Sequence, residues 1–284
     1  MVDATQITSE LFQQIEQDGF GTVSAPTTSV TSVYLNTASP ILQDVTVRKA
    51  LAYGTDNTEI SQGVFGGLQP TASAYFSTEV PYTDTGLSPY SYEPEQANLL
   101  LEEAGWHYES GADYRSKNGI PLSLNLIYDA SVTNDRDIGL VLQAQYAKIG
   151  VKLNLLPQDS QVYRQNWTNG AFDLLIYSSW GGSYEPYATL AAMCTSGDKF
   201  CTPQLGMAQK KELDLVMQDC LSQTDPAKLQ ENFQYIMTSF HDEVVYIPLT
   251  VVTTLAIYDP DFSAPDLTSA QGGMGISHMT TTHP

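Results

Sequence analysis

The middle of the chain carries the pattern that most restricts its fold, which is a strand, a helix and a second strand in direct succession. Apolar residues alternate over 122–128, recur at helical spacing over 135–149 and alternate again over 151–155, and Gly150 ends the helix. A unit of this kind predicts two parallel strands joined by a right-handed crossover. The sequence therefore predicts an α/β fold.

Segments on either side of this unit add further helices and strands. Asp44 can cap a helix that ends at Gly54, and Asp56 with Glu59 predicts a capping box for a second, short helix. The continuous, β-branched run over 244–257 predicts a buried pair of strands. The remaining patterns predict strands over 30–36 and 172–177 and helices over 9–17, 94–104, 160–169, 210–221 and 225–240.

The charge balance excludes some classes of partner. Twelve Lys and Arg residues stand against 32 Asp and Glu residues, and the net charge of −20 repels nucleic-acid phosphates and anionic membrane surfaces. No apolar run reaches the length of about 18 residues that a membrane span requires. The N-terminus lacks the pattern of a signal peptide. We expect no nucleic-acid partner, and either a cytoplasmic chain or a leader that lies outside this sequence.

Cysteine and histidine positions do not predict a metal site. The spacing of Cys194 and Cys201 fits either a disulfide or two free thiols, and zinc ligation by them is disfavoured because no further ligands are near in the sequence. The four histidines share no spacing that is typical of metal ligands. We therefore expect no metal and no cofactor to be held by these side chains.

No enzyme motif is complete in the sequence. Ser196 and Lys199 match a Ser-x-x-Lys pattern, but the partner motifs of that nucleophilic chemistry are missing. Glycine-rich nucleotide loops and the nucleophile elbow are also missing. We expect no catalytic residue and no enzymatic activity. Four arginines could anchor a ligand carboxylate: Arg48, Arg115, Arg136 and Arg164. Arg48, which lies on a predicted helix, is expected to be an ion-pair or capping partner.

The loop that follows the strand over 173–177 is the predicted ligand site. It places Trp180 and Tyr184 on either side of Gly181 and Gly182. Ligands of α/β proteins lie where strands end in loops of this kind. Two aromatic faces with polar tips suit a small polar solute, and two adjacent glycines remove bulk that a packed loop would use. The sequence therefore predicts binding.

Seven segments, in matching order and spacing, resemble the extracytoplasmic solute-binding proteins of ABC importers for nickel chelates, dipeptides and oligopeptides, and the nickel-binding branch in particular. The segments are Tyr34–Thr37, Val47–Tyr53, Tyr92–Ala97 leading into Leu99–Trp106, Arg115–Leu122, Tyr146–Val151, Ser179–Pro186 and His241–Pro248. The resemblance implies one lobe of a two-lobe clamp, with the mixed sheet and flanking helices of a type II periplasmic binding protein.

The resemblance also implies an organisation of the chain. Residues 1–30 are expected to flank the lobe from the first lobe or the hinge, residues 31–257 to form the C-terminal ligand-binding lobe, and residues 258–284 to return towards the first lobe. The whole protein is expected to be extracytoplasmic, in the periplasm or as a cell-surface lipoprotein whose leader lies outside this sequence. A monomer that delivers its solute to permease subunits is expected.

In the nickel-binding branch, the Trp and Tyr of the matching motif face the metal chelate, so the resemblance implies this role for Trp180 and Tyr184. Gly181 and Gly182 are expected to let the ligand approach the backbone. Ser183 stands where peptide-binding relatives hold the α-ammonium group with an Asp, and a neutral hydroxyl cannot make that charge-assisted bond. Asp198 stands near the position of the histidine that approaches the metal in the nickel branch, and the arginines that grip the chelator lie on the first lobe.

These observations predict a protein that captures a small solute, such as a nickel or other metal chelate, for an ABC importer. The alternative within the same family is a dipeptide or oligopeptide. An enzyme acting on a small molecule and a sensor domain of the same fold are the alternatives from other classes.

Overall fold

Helices cover both faces of a mixed six-stranded sheet in the computed structural model, which describes residues 1–4, 7–181, 186–267 and 279–281. The strands are β1 (Val2–Asp3), β2 (Gly21–Leu35), β3 (His107–Tyr108), β4 (Arg115–Lys117), β5 (Ile120–Pro121), β6 (Ser123–Asp129), β7 (Lys152–Gln158), β8 (Leu174–Ser178) and β9 (Tyr246–Tyr258). The helices are α1 (Ser9–Gln17), α2 (Val45–Tyr53), α3 (Asn57–Phe65), α4 (Pro94–Glu103), α5 (Asp135–Lys148), α6 (Ser160–Thr168), α7 (Tyr187–Met193), α8 (Lys210–Cys220) and α9 (Pro226–Asp242).

The order of strands in the large sheet is β1-β9-β2-β8-β6-β7. Strand β6 pairs in parallel with both β7 and β8, so the predicted parallel β6–α5–β7 unit is confirmed. Strand β2 runs antiparallel to its two neighbours, β8 and β9. The carboxyl ends of β6, β7 and β8 consequently lie at one edge of the sheet, which we call the carboxyl edge.

The alternation along the strands separates two apolar cores. On one face, side chains such as Leu126 and Ile176 are buried beneath α2, α3, α4 and α5. On the other face, Ile127 and Leu175 are buried beneath α6, α7, α8 and α9. Since successive side chains of a strand point to opposite faces, one alternating pattern supplies both cores. No helix in the described part of the chain has the length and apolarity needed to cross a bilayer.

The predicted caps hold two helices at their starts. The Asp44 carboxylate accepts from Thr46 N at 2.9 Å, and Asp56 accepts from the backbone N–H groups of Thr58 and Glu59 at 2.9 and 3.0 Å. These bonds satisfy backbone donors that have no partner within the helix. Glu59 does not complete the capping box. Its carboxylate instead accepts from Gln145 Nε2 at 2.9 Å, which ties α3 to α5.

The predicted strand pair over 244–257 is wrong, because this segment forms the single strand β9. Its partner β2 begins at Gly21, well before the predicted strand over 30–36, and the two strands pair from Gly21 with Tyr258 to Tyr34 with Tyr246. The first half of β2 is rich in Thr and Ser and only partly buried. It therefore lacks the apolar alternation that reveals a strand in sequence.

The small sheet β3-β4-β5 and helix α7 were not predicted. The three strands have only two, three and two residues, which is too short for a periodic pattern. Strand β2 runs without interruption through residue 30, where the sequence placed a boundary between flank and lobe. The boundaries at 30 and 257 stay predictions.

Two buried arginines cross-link separate parts of the lobe. Arg48 is 2% exposed and pairs with the Glu243 carboxylate through Nη2 at 2.6 Å, which confirms the expected ion pair. Arg48 also donates to the carbonyl oxygens of Leu42 and Glu243 at 2.7 and 2.6 Å. Arg115 is equally buried. Its guanidinium group donates to three acceptors, which are Trp106 O, Ile149 O and Asn98 Oδ1. Both arginines are therefore used for structure.

Replacing Arg48 with Ala should destabilise the fold strongly, because the carbonyl oxygens and the Glu243 carboxylate would lose their donors in a buried site. We expect a loss of about 3–5 kcal/mol in the free energy of unfolding, measured by urea denaturation. The matched control is Arg136→Ala, since Arg136 is 70% exposed and lies 3.9 Å from Asp137. A loss for Arg48→Ala no larger than for this control would contradict the structural role.

Candidate ligand-binding site

Strand β8 delivers the chain to Trp180 at the carboxyl edge. Its last residue, Ser178, pairs with Thr31 of β2. Beyond the strand, Ser179 Oγ accepts from Val30 N at 3.0 Å, and Ser29 Oγ donates to the Ser179 carbonyl at 2.5 Å. These bonds fix the backbone immediately before Trp180 against β2.

The Trp180 side chain is presented at this edge and is not packed into the core. It is 42% exposed, and its ring meets that of Phe200 edge to face with centroids 4.8 Å apart. One side of the indole is therefore supported while part of it faces solvent. This geometry is compatible with a ligand platform, which stays a prediction for Trp180.

Gly181 has a structural requirement of its own. Its φ angle is +64°, and a Cβ atom there would lie 2.9 Å from the Ser29 backbone nitrogen. Both the left-handed backbone and the close approach exclude other side chains without strain. The approach of a ligand to Gly181 stays a prediction. The other predicted site residues, Gly182, Ser183 and Tyr184, lie outside the described residues.

An aromatic cluster beside Trp180 holds a lysine. Lys199 Nζ lies 4.6 Å from the ring centroid of Trp167 and 5.1 Å from those of both Tyr177 and Phe200. Burial lowers the pKa of Lys199. The neighbouring Asp198 carboxylate opposes this shift, whereas the Arg164 charge adds to it. No sequence pattern connects Lys199 with this loop, since the three rings come from α6, β8 and the residue after Lys199.

A second polar group lies at the carboxyl end of β6. Asp129 accepts hydrogen bonds from Ser131 Oγ at 2.7 Å and from Ser160 Oγ at 2.8 Å. Although burial opposes ionisation, these bonds and the Arg164 charge lower the pKa of Asp129. The nearby Asp135 is only 7% exposed, and burial, with a smaller effect of the Asp129 charge, raises its pKa to about 8. Asp135 is consequently a neutral carboxyl group near pH 7.

Two cavities lie away from Trp180. One, of about 50 Å³, lies beneath the loop over 66–92 and is lined by Tyr75, Tyr90 and His241 among others. The other is an open groove of about 490 Å³ beside Asp173, at the opposite end of β8 from Trp180. Neither is lined by Trp180 or Gly181.

Other candidate ligands take up structural positions. Asp198 Oδ1 accepts from Phe200 N at 2.9 Å, so its carboxylate closes a local turn. Cys194 and Cys201 are free thiols, which decides the alternative that the sequence left open. Within the ranges that the structure describes, no group of three His, Cys, Asp or Glu side chains is arranged to hold a metal ion.

A mixed α/β lobe with its strand ends and an exposed indole at one open edge is typical of one half of a two-lobe binding protein. The family model "Bacterial extracellular solute-binding proteins, family 5 Middle" matches residues 2–200. The chain belongs to this family, whose members are binding proteins of transport systems. The family predicted from the sequence is thereby confirmed.

Individual relatives agree with this assignment. The chain is 30% identical over 227 residues to the nickel-binding periplasmic protein of Escherichia coli strain K12, covering 80% of this chain and 43% of the relative. It is 29% identical over 217 residues to the oligopeptide-binding protein OppA of Mycobacterium tuberculosis strain H37Rv, covering 74% of this chain and 35% of OppA. The chain thus spans less than half the length of these relatives.

Among solved structures, the crystal structure of NikA from Brucella suis in complex with Fe(III)-EDTA superimposes with a TM-score of 0.94 at 28% identity. The match covers 99% of this chain and 57% of that chain. The predicted fold, a type II periplasmic-binding-protein lobe with a mixed sheet flanked by helices, is confirmed.

Asp135 makes the stability of the lobe depend on pH. An unfolded chain loses this proton near the ordinary value of 3.8, whereas the folded chain keeps it until about pH 8. The folded state therefore binds more protons between these values, and the contribution to stability falls as pH rises through that window. Asp135→Asn should remove this fall and stabilise the protein at pH 8, by on the order of 5 kcal/mol at most.

Urea denaturation across this pH window checks the Asp135 prediction. Asp137→Asn is the matched control, because Asp137 lies in the same first turn of α5 and is 56% exposed. The difference in stability between Asp135→Asn and wild type should grow with pH, whereas that of the control should stay flat. A pH-independent difference for Asp135→Asn would rule out a neutral Asp135.

Proposed function

We propose that this chain forms one lobe of the substrate-binding component of an ABC importer, and that the solute is a nickel or other metal chelate held between two lobes. The observation that carries the proposal is the half-exposed Trp180 indole at the carboxyl edge of a lobe of this family. Trp180 and Tyr184 would contact the chelate, with Gly181, Gly182 and Ser183 forming the backbone beneath it.

Two relatives support a chelate as the solute. One is by name a nickel-binding periplasmic protein, and the other was crystallised with Fe(III)-EDTA, a metal held by an anionic chelator. A flat indole face suits the apolar edges of such a chelator, while polar groups at its rim can bind the carboxylates.

A peptide is the second candidate, favoured by the similarity to OppA. Against it stands Ser183, which cannot provide the carboxylate that peptide-binding relatives offer to an α-ammonium group. An enzymatic role has less support, since the family and the relatives above are binding proteins.

The transport role implies partners and a location. The complete protein would work outside the cytoplasm, in the periplasm or as a surface lipoprotein, as a monomer that docks on permease subunits. Closure of the second lobe over Trp180 would bury the solute and supply contacts that the open edge alone cannot make. The cargo would leave through the permease when the lobes separate.

Isothermal titration tests the proposed cargo on the longest protein whose sequence includes these 284 residues. Ni²⁺ with citrate, nickel–EDTA and Fe(III)-EDTA should each be tried against a mixture of di- to pentapeptides. We expect saturable binding of at least one chelate. Trp180→Ala should weaken it roughly tenfold or more, because a large aromatic contact is lost.

Tyr114→Ala is the control for that substitution, since Tyr114 is also an exposed aromatic residue, at 36% exposure, and lies beside β4. Its affinity for the chelate should equal that of wild type. Tight binding of peptides with no response to any chelate would overturn the proposed cargo in favour of the second candidate.

A further inference from the structure

Lys199 and Trp180 lie next to the same aromatic ring, that of Phe200. The Phe200 ring meets the Trp180 ring edge to face with centroids 4.8 Å apart, and Lys199 Nζ lies 5.1 Å from the centroid of the Phe200 ring. The rings of Trp167 and Tyr177 also lie near the ammonium group, with centroids 4.6 and 5.1 Å from Nζ. Lys199 therefore has a defined position next to the exposed indole.

Lys199 is held there without a carboxylate partner. Other lysines of the described chain, such as Lys210 and Lys228, make ion pairs with acidic residues on their own helices. Among the described residues, no ion pair or hydrogen bond involves Lys199 Nζ, even though the chain has a net charge of −20. The adjacent Asp198 carboxylate is engaged by Phe200 N at 2.9 Å.

The three rings offset only part of the cost of removing an ammonium group from water. Cation–π contacts stabilise the ammonium group, but burial still lowers the pKa of Lys199. Arg164 adds a second positive charge close enough to affect the titration of Lys199. Because no carboxylate of the described residues contacts Lys199 Nζ directly, its ammonium group keeps a local positive potential, which the neighbouring Asp198 charge reduces and the Arg164 charge increases. A potential of this sign attracts an anion.

We infer that Lys199, supported by Arg164, binds a carboxylate group of the solute and makes this wall of the site selective for anionic ligands. The inference rests on the proposed function and extends it, because it specifies the charge of the cargo. A carboxylate bound at Lys199 would lie beside the indole of Trp180, so that one ligand can contact both. A ligand that presents an ammonium group at this point would be repelled.

The test compares ligands of different charge on one set of variants. Isothermal titration would use dianionic nickel–EDTA, monoanionic Fe(III)-EDTA and the neutral nickel complex of two histidines, with the longest protein that includes this chain. Lys199→Met keeps the length of the side chain and removes its charge. We expect it to weaken binding of the dianionic chelate roughly 10- to 100-fold, the monoanionic chelate less, and the neutral one least, because the metal offsets the charge of its two carboxylates.

Two further variants separate charge from packing. Lys199→Arg should restore most of the affinity for the anionic chelates, because it keeps the positive charge. Lys148→Met is the matched control, since Lys148 Nζ lies 6.0 Å from the ring centroid of Tyr92 in another part of the lobe. Its affinities should equal those of wild type. Thermal denaturation of every variant verifies that each is folded.

The possible outcomes are distinct. Equal weakening of all three complexes by Lys199→Met, or no weakening of any, would overturn the inference while leaving the proposed function intact. Wild-type protein that binds peptides and no chelate would contradict both. Loss of affinity that follows ligand charge, with recovery in Lys199→Arg, would support the role of Lys199.

Discussion

The antiparallel pairing of β2 with β9 is the interaction on which the rest of this lobe depends. The two strands stay in register from Gly21 with Tyr258 to Tyr34 with Tyr246, apart from two bulges. This pairing joins an N-terminal strand to a C-terminal strand, and the other edge of β2 pairs with β8. Through β8 the parallel strands β6 and β7 are added. Without this ladder the α/β unit would have no antiparallel support.

The same ladder determines where the site lies. Thr31 of β2 pairs with Ser178, the last residue of β8. The part of β2 that precedes Thr31 pairs with β9 alone, and these two strands continue as a ribbon past the carboxyl edge. The bonds from Ser29 and Val30 to Ser179 hold the Trp180 loop against this ribbon. Aromatic rings and a lysine then gather on the face covered by α6. The site is therefore a consequence of strand length and local hydrogen bonding, with the polar and aromatic side chains placed on top.

Local signals predicted much of this fold. The caps at Asp44 and Asp56 and the stop at Gly54 were recognisable because each acts within a few residues. Helix α5 and strand β6 lie within about one residue of the predicted bounds, because their apolar residues recur with a clear period, whereas β7 extends three residues beyond the predicted end at 155. The loop with Trp180 was recognised by its composition.

Nonlocal features were not predictable in the same way. Arg48 was expected to make an ion pair, but its partner Glu243 lies 195 residues away in the sequence, and no periodic pattern connects them. The first half of β2 is partly exposed and polar, so its identity as a strand depends on the distant β9. Lys199 belongs to the same class, because the rings around it converge only after α6 and β8 have packed.

A crystal structure with bound ligand would show directly whether the carboxyl edge forms one wall of the ligand site. Crystals of the longest protein that includes this chain, grown with a nickel chelate, would locate the metal by its anomalous scattering. We predict a metal peak between the lobes, with the chelator in van der Waals contact with the Trp180 ring and a carboxylate directed at Lys199. A chelate bound in the cavity beneath 66–92, or in the groove beside Asp173, would contradict it.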